Sequence, residues 1–153
     1  MNVILFDDPA IRQALLPLTF TRPVAEIRVG ILTIAEKWEH KLKMPSSYLT
    51  EGYLSDKYPT LSADDNLLIN GGLCPNDKLL LAIDSLQPGE ALCNDQIVLA
   101  ARSGEAVLPA REQFDLIEFK GDYTLIPQPW YIYKQNAAQI GADFEMLTKD
   151  RAS

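Results

Sequence analysis

Three arginines crowd the start of this chain. Arg12, Arg22 and Arg28 lie within AIRQALLPLTFTRPVAEIRVG, residues 10–30, and Pro17 and Pro23 break regular structure among them. Arginine suits phosphate because its planar fork can donate two parallel hydrogen bonds to neighbouring oxygens. Such a group in one early loop fits the binding of a nucleotide or a sugar phosphate. The competing reading is that the arginines pair with Asp7, Asp8 and Glu26 as surface ions. On residue types alone, structural ion pairs are the commoner outcome.

The elements around them say where such a ligand would lie. NVILF, residues 2–6, is an apolar run with two β-branched residues. It reads as a buried first strand ended by Asp7, Asp8 and Pro9. A loop from 9 to 23 follows, with one helical turn around IRQALL. The stretch VAEIRVGILTIAEKWEHKLK, from residue 24, carries Ile27, Ile31, Ile34 and Trp38 at helical spacing. It predicts a helix that stops near Met44, before Pro45. Gly30 inside it would cost about 1 kcal/mol relative to Ala, which points to close backbone packing or a nearby ligand.

Further on, 46–51 reads as a strand and 53–59 as a short helix. DNLLINGG, 65–72, gives a strand that breaks at Gly71-Gly72. The stretch 75–86 reads as a helix capped by Asn76 or Asp77. EALCN and QIVLAAR predict a hairpin, 115–120 a strand, and 129–148 an amphipathic helix with Tyr133, Ile140, Phe144 and Leu147 packed on the sheet. The order is α/β with antiparallel elements late, which fits a mixed sheet. In open α/β sheets ligands bind at the carboxyl ends of strands, where strand order reverses. Those ends here are Asp7-Asp8 and Asn70-Gly71-Gly72, with the 9–23 loop overhanging the same edge. Asn70, Gly71 and Gly72 are therefore candidate substrate-binding residues.

Length and composition narrow the field. The 153 residues suit one domain, and 47% hydrophobic with 23% charged residues is ordinary for a soluble protein. A net charge of -7 argues against nucleic acid and anionic membranes as partners. No stretch approaches the roughly 20 apolar residues that span a bilayer, and MNVILFDDPA has no basic segment of a secretory signal. Cys74 and Cys93 lack paired-motif spacing and read as reduced thiols in a cytoplasmic protein. His40, among charged residues, reads as a surface histidine, and Cys74 as a buried inert thiol. Trp130, Tyr131 and Tyr133 read more readily as core or interface than as a stacking platform.

The pattern R-x4-P-L-T-x-T-R-P, Arg12 to Pro23, resembles the start of the sugar-1-phosphate nucleotidyltransferases. LPLTFTRPVAEIRVGILTIAEKW, 16–38, and PWYIYKQN, 129–136, are similar to a bacterial subgroup of that family. The resemblance implies a nucleotide-diphospho-sugar transferase fold, a Rossmann-like, mostly parallel mixed sheet. It also implies transfer of a nucleotidyl group from a nucleoside triphosphate to a hexose 1-phosphate with release of pyrophosphate, assisted by Mg²⁺. In the subgroup such a domain precedes a left-handed β-helix resembling the acetyltransferase half of bifunctional N-acetylglucosamine-1-phosphate uridyltransferases. Residues 1–148 would then be the nucleotidyltransferase-like domain of a truncated chain. Residues 149–153 would begin a linker, and the full-length form would be a homotrimer through the absent β-helix.

Three family features are replaced. The glycine loop reads FDDPAIR, Val24 stands at or near the place of the first catalytic lysine, and Gly72 stands where a metal-binding aspartate is expected. Two alternatives follow. In the first, Arg12 holds the triphosphate, Arg22 and Arg28 neutralise charge, and Asp7 or Asp8 holds Mg²⁺. In the second, the domain no longer catalyses transfer and serves as a nucleotide-sugar-binding or scaffold domain for the β-helix acyltransferase.

Overall fold

A computed structural model describes residues 2–16, 19, 22–29, 31–50, 54, 56–94, 97–106, 109, 111–121, 123–125 and 139–148. The elements are β1 (Asn2–Phe6), α1 (Pro9–Ala14), β2 (Arg28–Val29), β3 (Leu32–Thr33), α2 (Ile34–Leu42), β4 (Ser46–Leu49), β5 (Asn66–Asn70), β6 (Leu73–Cys74), α3 (Asp77–Asp84), β7 (Glu90–Asn94), β8 (Ile97–Ser103), β9 (Asp115–Glu118), β10 (Thr124–Leu125) and a helical segment α4 (139–148). Six strands form the main sheet in the order β4-β1-β5-β8-β7-β9. β1 runs parallel to β4 and β5, and β7 runs parallel to β9. β8 is antiparallel to both its neighbours. The result is a mixed, mostly parallel sheet of Rossmann-like type.

Apolar residues on both faces of the inner strands require cover on both sides. All five residues of β5 are buried, as are Val3 to Phe6 of β1. Val3, Leu5, Leu67, Ile69 and Leu99 face one side and pack with Trp38 of α2 and Leu79 and Ile83 of α3. Ile4, Phe6, Leu68 and Val98 alternate to the other side, where Leu49, Ala106 and Phe114 cover them. Trp38 also satisfies its indole N–H on the Leu73 carbonyl at 2.7 Å, which ties α2 to the turn after β5.

The helix expected from residue 24 is corrected to three shorter pieces. Val24–Glu26 is a 3-10 turn, β2 and β3 pair as an antiparallel hairpin, and α2 starts only at Ile34. A capping box fixes that start. The Thr33 hydroxyl accepts the Glu36 N–H at 3.1 Å, and the Glu36 carboxylate accepts the Thr33 N–H at 3.0 Å. The helix ends with Lys43 in the left-handed region, φ 57°. The helical spacing of Ile27, Ile31 and Ile34 was a coincidence of a hairpin followed by a helix, and the T-x-x-E signal marks the true boundary.

Other expectations hold. α3 is capped by the Asn76 side chain, which accepts the Leu79 N–H at 2.9 Å. β7 and β8 form the hairpin, β9 forms as an edge strand, and His40 is exposed. Within 53–59 the described residues are Leu54, in 3-10 conformation, and 56–59, where the Tyr58 N–H donates to Leu54 O at 2.9 Å. Residues 129–138, with Trp130, Tyr131 and Tyr133, lie outside the described residues. Of the apolar stripe expected on the last helix, the described residues are Ile140, Phe144 and Leu147; Leu147 is half-buried and the other two face outward. In α4, Ile140 is 41% and Phe144 62% exposed, whereas Asp143 is 2% exposed. A polar anchor, not the apolar face, turns this helix toward the body.

Candidate functional site

From β1 the chain passes through α2 to β4 on one side. From β5 it passes through α3 to β7 on the other. Strand order therefore reverses between β1 and β5, and their carboxyl ends meet there. The ends are stitched together: Gly71 N–H donates to Phe6 O at 2.8 Å and Asp7 N–H to Leu49 O at 2.9 Å. Asn70 is buried and holds the bend after β5. Its Oδ1 accepts the Gly72 N–H at 3.0 Å, and its amide donates to Val98 O at 3.1 Å. Gly71 is needed for close approach. A Cβ there would lie 3.0 Å from Phe6 O and 3.3 Å from Ala25 N. The Val24–Glu26 turn thus lies directly against the reversal point.

Asp7 and Arg12 are both buried, and Arg12 Nη1 donates to Asp7 Oδ2 at 2.8 Å. Asp7 Oδ2 also accepts the Thr50 hydroxyl at 2.5 Å, and Oδ1 accepts the Val24 N–H at 3.0 Å. Burial pushes the Asp7 carboxyl above its ordinary range, against the lowering effects of Thr50, the Val24 amide and Arg12. Arg12 donates in addition to the carbonyls of Arg22 and Thr19, and the Thr19 hydroxyl returns a bond to Arg12 O at 2.7 Å. One guanidinium therefore gathers the end of β1, the loop through Thr19 and the carbonyl of Arg22.

Asp8 works locally. Its Oδ1 caps α1 by accepting the N–H groups of Ala10 at 2.9 Å and Ile11 at 3.3 Å, and Pro9 supplies no N–H. A carboxylate occupies the helix start where a glycine loop would offer its amides to a phosphate. Arg22 is exposed at the edge of this network. Arg28 is exposed on β2, and its guanidinium donates to the Ile31 carbonyl. The structure brings Arg12, Asp7 and the Arg22 backbone together, and Arg28 is spent on its own hairpin. Among the three, Arg22 alone presents its side chain to solvent with no partner among the described residues.

Mg²⁺ needs several oxygen ligands in near-octahedral geometry. Both oxygens of Asp7 are taken by protein donors, and a cation already faces it. Asp8 keeps one oxygen without a partner among the described residues. No group of three or more His, Cys, Asp or Glu among the described residues could hold a metal. Among the described residues, Asp7 and Asp8 do not make a donor set for a resident Mg²⁺.

Thr50, which completes the Asp7 network, escaped sequence reasoning. Its signal was its position directly after β4, at the same edge. Burial pushes the Cys74 thiol up to about 12, as befits an inert thiol. Among the described residues, no helix is long and apolar enough to cross a membrane.

Sheet order and the reversal beside β1 define a mixed α/β domain of Rossmann-like type. The model of the sugar nucleotidyl transferase family matches residues 3–152, nearly the whole chain, and the chain belongs to that family. Nucleotidyl transfer is the family's general activity, with nucleotides and sugar phosphates as its substrate classes. A search of the curated proteins finds no match.

Proposed function

We propose that this domain transfers a nucleotidyl group from a nucleoside triphosphate to a hexose 1-phosphate, with release of pyrophosphate. The family match carries the reading, supported by the Val24–Glu26 turn that follows Arg22 and lies against the strand-order reversal. In that reaction an oxygen of the sugar phosphate attacks the α-phosphorus. A new P–O bond forms while the bond to the β-phosphate oxygen breaks, and pyrophosphate leaves with the electron pair. Catalysis of such a step rests on positioning and on neutralising charge. We assign that neutralising role to Arg22, whose side chain is exposed. Arg12 acts through it, because it fixes the Arg22 carbonyl and the Thr19 loop against β1. Asn70, Gly71 and Gly72 form the floor beneath.

A second reading has its own support. The Asp7–Arg12 pair and the Asp8 cap occupy the positions where a phosphate and its metal would be held. They favour a domain that binds a sugar nucleotide, or only supports a C-terminal β-helix acyltransferase, without turnover. Isothermal titration with UTP, dTTP and hexose 1-phosphates, with and without Mg²⁺, separates the two when joined to a pyrophosphate-release assay. Transfer expects pyrophosphate release that Arg22→Ala abolishes. Binding without release selects the second reading as a sugar-nucleotide binder. No binding of any of these ligands sinks the transfer reading.

A further inference from the structure

A second buried ion pair lies away from the crevice. Lys37, one turn into α2, places Nζ 2.5 Å from Asp143 Oδ1, and both side chains are 2% exposed. The other Asp143 oxygen accepts two consecutive backbone N–H groups of the β2–β3 turn, Ile31 at 2.9 Å and Leu32 at 3.0 Å. Successive amides converging on one oxygen form an anion-binding concavity, and a neighbouring ammonium strengthens it. All three donors come from residues 31–37. The hairpin and the capping box fix that segment without help from α4. The acceptor comes from 106 residues further along the chain. Asp143 is also the one fully buried residue of α4, since Ile140 and Phe144 face outward. What α4 offers the body is a carboxylate, as a ligand would.

We propose that the Ile31 and Leu32 amides with the Lys37 ammonium are a binding site for a phosphate monoester or free phosphate, filled in this conformation by the chain's own Asp143. Phosphate suits the cradle better than a carboxylate does. Among the described residues the ammonium uses one of its three N–H groups. A cavity of about 290 Å³ opens beside the pair, lined by Lys37, Lys41, Asn76, Asp77, Asp143 and Glu145 among others. Asp77 already faces Lys41 at 3.5 Å, so Glu145 is the acid left to oppose an incoming anion. Simple loss of Asp143 would strand a buried charge, but exchange for phosphate replaces one anion by another. α4 would then come away, because no other side chain of its described residues is buried. The proposal does not depend on nucleotidyl transfer.

Hydrogen exchange of residues 139–148 in the unaltered protein tests it, in sodium phosphate and in sodium chloride of equal ionic strength. Exchange there should quicken saturably with phosphate, by about tenfold or more, while residues 2–6 stay protected. A parallel arm with a hexose 1-phosphate tells esterified from free phosphate. Quickening with either supports the proposal, and no response to both overturns it. In Asp143→Ala the cradle is open, so phosphate should raise the melting temperature more than in the unaltered protein. Adding Lys37→Met should remove that gain. An equal gain in the single and double variants overturns the proposal. If the variants do not fold, the exchange experiment decides alone.

Discussion

The two buried ion pairs of this domain are built from similar chemistry and held in different ways. Asp7 and Arg12 are five residues apart, on a strand end and the first turn of the next helix. Asp7 has further donors in Thr50 and the Val24 amide, and Arg12 has further acceptors in Thr19 and Arg22. Losing one partner leaves the other satisfied in part. Lys37 has Asp143 as its one partner among the described residues, reached across the length of the chain. Redundancy, rather than burial, is what separates them.

Breaking that comparison begins with its weaker side. Asp143→Ala should cost about 3–5 kcal/mol in chloride buffer, because it leaves a buried ammonium and two turn amides unpaired. Urea denaturation measures it. A loss below that of Arg12→Ala would show that redundancy does not set the ranking.

Arg12→Ala should cost less, about 2–3 kcal/mol, since Asp7 keeps two donors. The pH dependence sharpens the point. Burial holds the Asp7 carboxyl above its ordinary range, so its contribution is full below that range and is lost as pH rises through the raised value. Removing Arg12 raises the carboxyl further. The deficit of the variant should therefore shrink as pH falls from neutral toward about 4. A deficit that stays constant over that window would mean that Asp7 does not titrate there.

How far each region could be read from sequence follows the same division. Asp7 and Arg12 are close in sequence, so their pairing was open to view as the alternative to phosphate binding. What the residue order could not tell was that the pair is buried rather than on the surface. β1, β5, α3 and the β7–β8 hairpin announce themselves by apolar runs, a cap and a turn. The β2–β3 hairpin does not, because two-residue strands carry no period, and Ile27, Ile31 and Ile34 mimic a helix. Lys37, a cation on an amphipathic helix, carries no sign of burial in its own neighbourhood, and only a distant aspartate makes that burial possible. α4 misled for the converse reason. Its apolar residues keep helical spacing, yet Asp143 decides which face turns inward.

Gly71 tests the floor of the crevice, with a smaller effect. An added Cβ would meet backbone atoms on two sides, Phe6 O and Ala25 N, and neither can rotate away. Gly71→Ala should cost about 1–2 kcal/mol through forced shifts of the Val24–Glu26 turn. Measured by urea denaturation, a neutral result would mean that the turn yields freely. The Asp7–Val24 bond, which pins that turn, would then add little rigidity.

The smallest effect is expected where the hydrogen-bond geometry is best. Arg102 grips Asp65 with two bonds, 2.9 and 2.7 Å, at the amino edge of the sheet. Bidentate pairing usually marks a strong contact, but water and salt reach this one. Arg102 holds the Asp65 carboxyl below the ordinary range, so its contribution is present above that range and is lost as pH falls through the lowered value. Asp65→Asn should lower the melting temperature by no more than a few degrees at neutral pH. The difference should fade in acid and at high salt, because exposed charges are screened. Arg102 also keeps its bond to the Leu86 carbonyl at 2.9 Å, so the side chain is not set adrift. Thermal melts at two salt concentrations decide the matter. A salt-insensitive loss as large as that of Arg12→Ala would mean that bond geometry, and not the number of partners left behind, ranks the ion pairs of this domain.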